Sequence, residues 1–240
     1  MRRSERRALI EGPHLVQAYI EQRGVPISIL VSERGSARDE IARLVTRSEL
    51  TPVVLSDSLF NAIADSESPT GIAAEIAIPD MAVDLRQSES CLFLDGVQDM
   101  GNVGAILRSA AAFGVRDVVL GRGCGDPWAP KTLRAGMGAH FAMRLSQTDQ
   151  LAVAIEEFGG RVVCTMPHGG TPLFSVDLAG RIGLVVGAEG GGVSDAVAAR
   201  TDVIATIPMG AGVESINVAA AVAICLYERQ RQLRTGASRF

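Results

Sequence analysis

CLFLDGVQDMGNVGAILRSAAAFGVRDVVL, residues 91–120, decides the fold class. CLFLDGV (91–97) is a short apolar run of the kind that forms a strand buried on both faces. GNVGAILRSAAAFGV (101–115) carries glycine near both ends and reads as a helix, and VVL (118–120) reads as the next strand. Apolar runs separated by helices predict a parallel sheet covered on both faces.

The pattern continues toward the C-terminus. Residues 149–158 read as a helix, 161–166, 182–187 and 203–209 as strands, and 215–234 as a long final helix. On the other side, 4–22 reads as a helix with Leu9, Leu15, Val16 and Ile20 on its apolar side. Strands at 27–32, 52–56 and 71–78 alternate with helices at 36–47 and 57–64. PDMAVDLRQSES (79–90) is polar, begins with proline and holds no period, so it reads as a linker. The expected organisation is a small α/β domain over 1–78, a linker over 79–90 and a parallel-sheet α/β domain over 91–240.

Composition excludes several classes. No apolar run is long enough to span a bilayer, and the arginine-led start lacks the apolar stretch of a signal peptide. Cys91, Cys124, Cys164 and Cys225 lie far apart, as do the three histidines, so no metal cluster is expected. Free thiols in a reducing cytoplasm are the expectation. The net charge of −4 argues against simple polyanion binding. Basic residues are nevertheless uneven. Arg2, Arg3, Arg6 and Arg7 crowd the start, and Lys131 (the one lysine in the chain) and Arg134 sit mid-chain. Arginine suits phosphate contacts, so Arg6, Arg7, Lys131 and Arg134 are candidate polyanion contacts, although a genome-wide codon bias would produce the same excess of arginine.

Glycines concentrate at three strand-to-helix junctions, 101–104, 187–192 and 210–212. Ligands of open α/β sheets bind beyond the carboxyl ends of strands, where glycine lets backbone amides come close. Each junction also carries an Asn, Glu or Ser, which favours a ligand site over turns alone. Neither GxGxxG nor a Walker A sequence occurs, so neither a dinucleotide fingerprint nor a P-loop is supported. Gly192-Val193-Ser194-Asp195-Ala196 lacks the last glycine of a nucleophile elbow, and Ser194 reads as a helix N-cap.

Taken together, LDGVQDMGNVGAILRSA (94–110), LVVGAEGGGVS (184–194) and IPMGAGVESINVAAAVAI (207–224) resemble, in order and spacing, the three motifs of the SpoU/TrmH family of RNA methyltransferases. Asn102 and Arg108 fit the first motif, Gly187, Glu189 and Gly192 the second, and Pro208, Gly210, Ser215 and Asn217 the third. IEGPHLV (10–16) and SPTGIAA (68–74) resemble the family's substrate-binding domain. The chain departs from the pattern at Met100, where proline is common, and at Gly136 and Ala219, where serine is common. The Gly136 difference is expected to weaken an RNA contact.

The resemblance implies a C-terminal trefoil knot, S-adenosylmethionine as methyl donor, and transfer to a ribose 2′-hydroxyl of rRNA or tRNA. It implies donor binding by Gly187, Glu189, Gly192, Ile207, Pro208 and Ile216, and catalysis by Arg108, Asn102, Glu189, Ser215 and Asn217. It also implies a homodimer whose active site draws on two chains. Plainer roles stand beside these: capping for Asn102 and Ser215, a surface ion pair for Arg108, a solvated carboxylate for Glu189. A base-nitrogen methyltransferase of the same superfamily and an RNA-binding protein without activity are the alternatives.

Overall fold

The computed structural model describes residues 5–80 and 82–237, so Arg2 and Arg3 lie outside the described residues. The first difference from the sequence pattern comes early. Where a helix over 4–22 is expected, strand β1 (Arg7–Glu11) precedes helix α1 (Pro13–Arg23). RALIE alternates, burying Ala8 and Ile10 while Arg7 stays exposed. Gly12, at φ 92°, then turns the chain, and Pro13 opens the helix where its missing N–H is not needed.

β1 pairs antiparallel with β4 (Ile72–Ala77), β4 pairs antiparallel with β2 (Ser28–Ser32), and β2 pairs parallel with β3 (Val53–Leu55). Between them run α2 (Glu33–Ser36), α3 (Asp39–Ser48) and α4 (Asp57–Ile63). The core of this unit holds Ile10, Val16, Ile29, Ile41 and Ile76.

The second unit is a sheet in the order β7-β6-β5-β10-β8-β11-β9, with every pairing parallel. Its strands are β5 (Ser90–Asp95), β6 (Asp117–Leu120), β7 (Arg144–Gln147), β8 (Arg161–Thr165), β9 (Thr171–Pro172), β10 (Ile182–Gly187) and β11 (Val203–Thr206). Its helices are α5 (Met100–Ala112), α6 (Pro130–Gly136), α7 (Leu151–Phe158), α8 (Asp195–Ala198) and α9 (Val218–Ala237). Apolar residues of α5 and α9 pack on one face, and those of α7 on the other. The strand expected over 203–209 ends at Thr206, and the helix expected from 215 begins at Val218. Residues 207–217 are left as a loop.

The two units meet along α6 and a short 3-10 turn, Ala139–Ala142. Leu133 and Phe141 from this segment are buried in the N-terminal core, and Phe141 meets Tyr19 edge-on at 5.2 Å. Arg134 pairs with Asp65 across the seam at 2.5 Å. Gly136 is buried there against the His140 ring. Most of 79–90 has no regular structure, yet its second half is held. The Arg181 guanidinium donates to the carbonyls of Leu85, Arg86 and Ser88 at 2.9, 2.7 and 3.0 Å.

Candidate active site

β5, β10 and β8 lie side by side in the sheet and aim their carboxyl ends at one place. The loops leaving β8, β10 and β11 enclose a cavity of about 530 Å³ there. That size suits a small-molecule site.

The loop after β10 is shaped by two glycines. Ala188 and Gly192 exchange both backbone hydrogen bonds, at 3.0 and 2.9 Å, and Gly192 takes φ 64°. A Cβ at Gly187 would stand 2.1 Å from the carbonyl carbon of Gly192 and 2.3 Å from the Val193 nitrogen. Only glycine fits so close a backbone crossing.

A polar chain crosses the cavity rim. Asn217 caps α9: its Oδ1 accepts from the amides of Ala219 and Ala220 at 2.9 and 3.2 Å. Its Nδ2 donates to Asn102 Oδ1 at 3.0 Å, and Asn102 Nδ2 donates in turn to Glu189 Oε1. Asn102 stands in the first turn of α5, but it does not cap that helix. Asp99 does, accepting the Asn102 amide at 2.9 Å. Lys131 donates to the other Asp99 oxygen at 2.6 Å. These bonds, the Lys131 bond first, hold the Asp99 carboxyl below the usual carboxylate range.

The expected donor residues Gly187, Glu189, Gly192, Ile207 and Ile216 all line the cavity, as do Ser215 and Asn217. Pro208 lies in the same loop without reaching the wall, which its neighbours Ile207 and Met209 form. Ser215 makes no cap, because the helix starts beyond it. Ser194 stands at the cap position of α8, yet its hydroxyl makes no cap bond, and its backbone amide donates to Asp95 instead. Arg108 is exposed on α5, lies outside the cavity wall and makes no hydrogen bond or ion pair among the described residues. Glu189 holds Asn102.

The four candidate RNA contacts each hold a carboxylate: Arg6 with Asp80 at 3.0 Å, Arg7 with Glu75 at 3.0 Å, Lys131 with Asp99 at 2.6 Å, and Arg134 with Asp65 at 2.5 Å. The sequence reading also missed one wall of the cavity, Thr165 to His168. These residues follow β8, the immediate neighbour of β10. The rule that ligands gather at strand carboxyl ends points to them, although no polar motif does. Among the described residues, no group of His, Cys, Asp and Glu could hold a metal, and no helix is long and apolar enough to cross a membrane.

Known proteins resemble this chain over most of its length. A 23S rRNA (guanosine(2553)-2′-O)-methyltransferase of Bacillus subtilis is 33% identical over 222 residues, covering 91% of this chain and 86% of the relative. A 23S rRNA (guanosine-2′-O-)-methyltransferase of Escherichia coli is 29% identical, covering 93% of this chain and 98% of the relative. The solved structure of a TrmH-family protein from Porphyromonas gingivalis superposes with a TM-score of 0.80 at 32% identity, covering 96% of this chain and 92% of its own. Residues 89–227, which carry every loop of the cavity and the Asn102–Glu189–Asn217 chain, match the SpoU rRNA Methylase family, and the protein belongs to that family.

Proposed function

We propose that this protein is an S-adenosylmethionine-dependent RNA methyltransferase acting on a ribose 2′-hydroxyl. One observation carries the reading: Asn102, Glu189 and Asn217 form a hydrogen-bonded chain at the rim of a glycine-walled cavity.

The cavity suits the donor. Gly187 and Gly192 leave backbone on the cavity wall, Ile207 and Ile216 would give an adenine apolar flanks, and the Glu189 and Glu214 carboxylates would favour a cationic sulfonium. When bound, the donor supplies an activated methyl group, so the protein's task is alignment and proton management. Asn217 is fixed by the end of α9 and orients Asn102, whose amide is polarised by the Glu189 carboxylate. Asn102 keeps one N–H and one lone pair with which to orient a ribose hydroxyl. Ser215 adds a hydroxyl to the same wall.

Arg108 acts by charge, because a guanidinium stays protonated at neutral pH. It holds the adjacent phosphate and stabilises alkoxide character on the oxygen as the methyl moves. Since it lies outside its own chain's cavity, we assign it to the cavity of a second copy in a homodimer. Exposed Ile224 and Tyr227 on α9 support such an interface, the other apolar residues Val218, Val222, Cys225 and Leu226 being buried in their own core. We further infer a trefoil knot in the chain 182–237, the cytoplasm as location, and RNA selection by residues 1–78 across the linker 79–90. Arg6, Arg7 and Arg134 are our candidates for phosphate contacts, and exposed ion pairs of this kind are exchanged at small cost.

The test is transfer of labelled methyl from the donor to total RNA of a strain lacking this protein. Label should appear in a dinucleotide resistant to alkaline hydrolysis, because methylation removes the 2′-hydroxyl that attacks the phosphate. Label on a base, or no transfer, overturns the reading.

A further inference from the structure

We propose that Lys131 is a positioning residue for methyl transfer, acting through Asp99 on Asn102, and not a contact for RNA phosphate. The proposal rests on the methyltransferase reading above. Asp99 stands between the two residues. One carboxylate oxygen caps α5 by accepting the Asn102 amide at 2.9 Å, and the other accepts the Lys131 ammonium at 2.6 Å. A cap bound through one oxygen alone can swivel about its side-chain torsion. Holding the second oxygen fixes the carboxylate plane, and with it the backbone from which the Asn102 amide reaches Glu189 and Asn217.

The surroundings agree with a built contact. A Cβ at Gly101 would stand 2.8 Å from Asp99 Oδ1 and 3.5 Å from Lys131 Cε, so this turn has no room for a side chain beside the pair. Lys131 also reaches out from an anchored helix. Thr132, next to it in α6, is buried and donates to the Asp126 carbonyl at 2.7 Å, and Leu133 is buried in the N-terminal core. The pair itself is about half exposed, so it contributes little to stability. Rate is far more sensitive to the placement of Asn102, since small misplacements of a reacting group slow transfer steeply.

The test uses the full chain in excess over total RNA from a strain lacking it, with saturating donor. The rate constant at saturating enzyme reports transfer, and the half-saturating enzyme concentration reports RNA affinity. Lys131→Met should lower the rate constant about tenfold to a hundredfold. RNA half-saturation, donor affinity by calorimetry and melting temperature should hold to about twofold, twofold and 2 °C. Lys131→Arg should restore most of the rate. Asp99→Asn keeps a capping oxygen and loses the ion pair, so it should match Lys131→Met, and the double variant should be no slower than either. Weaker RNA binding by Lys131→Met at an unchanged rate constant overturns the proposal. So does tighter RNA binding by Asp99→Asn, which is what a lysine released toward phosphate would give. A wild-type chain that transfers no methyl overturns the parent reading, and this role with it.

Discussion

Glycines gather both in the loops around the cavity and at the seam between the two units, in contrasting surroundings. In the loops that follow β10 and β11, Gly190, Gly191 and Gly210 face open space, with nothing within 4 Å of where a Cβ would stand, while Gly187 is crossed by the Gly192 backbone. At the seam, a Cβ on Gly136 would stand 2.4 Å from His140 Cε1, and one on Gly138 3.0 Å from the Ala18 methyl. Polar groups divide the same way. Asn102, Glu189 and Asn217 are linked to one another with bonding capacity to spare. His140 is fully buried, and neither ring nitrogen makes a well-formed hydrogen bond. Glycine density in a sequence thus marks two conditions, open space and close packing, and Gly187 shows that the second also shapes the cavity.

The strongest test of the comparison lies on the functional side. Arg108→Ala should lower single-turnover methylation about a hundredfold to a thousandfold while donor affinity stays near normal. Arg108→Lys should recover part of the loss, since lysine keeps the charge and loses the planar fork. If the arginine serves the partner's cavity, mixing Arg108→Ala with a chain whose own cavity is disabled should restore activity. Near-wild-type turnover in the alanine variant would end the assignment.

Gly187→Ala supplies that disabled chain and comes next in size. Its methyl meets backbone that cannot yield, so calorimetry should show donor affinity lower by at least about a hundredfold, with a lower melting temperature. Gly191→Ala adds a methyl where nothing lies within 4 Å and should fold like the wild type. Equal damage from both would erase the distinction between crossing and open glycines.

The seam responds to pH. Burial lowers the His140 pKa from 6.5 to about 4. The unfolded chain therefore takes up this proton first as pH falls. The contribution is fully present above about pH 6.5 and is lost progressively down to about pH 4, by up to about 3 kcal/mol. Urea unfolding at a series of pH values should show this slope, and His140→Leu should flatten it. Trp128, whose ring centre is 5.5 Å from that of His140, offers a local fluorescence signal. A slope unchanged in the leucine variant would assign the loss to other groups.

The smallest effect should come from restoring the serine common in the family at Gly136. Its Cβ and the His140 ring cannot both keep their places, so Gly136→Ser should destabilise by about 1–3 kcal/mol. Adding His140→Ala should recover most of that. Additive losses in the double variant would show that the two positions do not share space.

The legibility of these regions in the sequence follows from their physics. Asn102, Glu189 and Asn217 each sit in a short glycine-bearing motif, and the resemblance of the three motifs to the family's singles them out. The parallel strands were readable as apolar runs. β1 was hidden because Leu9 extends the helical spacing of Leu15, Val16 and Ile20, although Gly12-Pro13 marks the true helix start. The Asp99–Lys131 pair joins residues 32 apart, and no local pattern announces it. The burial of His140 against Gly136 and Trp128 arises only once residues 127–140 have folded back on themselves. Local chemistry was legible, and contacts between distant segments were not.

The Lys131–Asp99 contact also makes the protein its own reporter. Because the chain holds one lysine, amine-directed reagents and lysine-specific proteases meet a single side chain, and it bonds the carboxylate that caps α5 beside Asn102. An ammonium engaged by a carboxylate is a poor nucleophile, so acylation at this residue should run slowly and accelerate when Asp99 is changed to Asn. A tag placed there, read by mass as one modified fragment, would then follow the opening of the Asp99 contact without any engineered label.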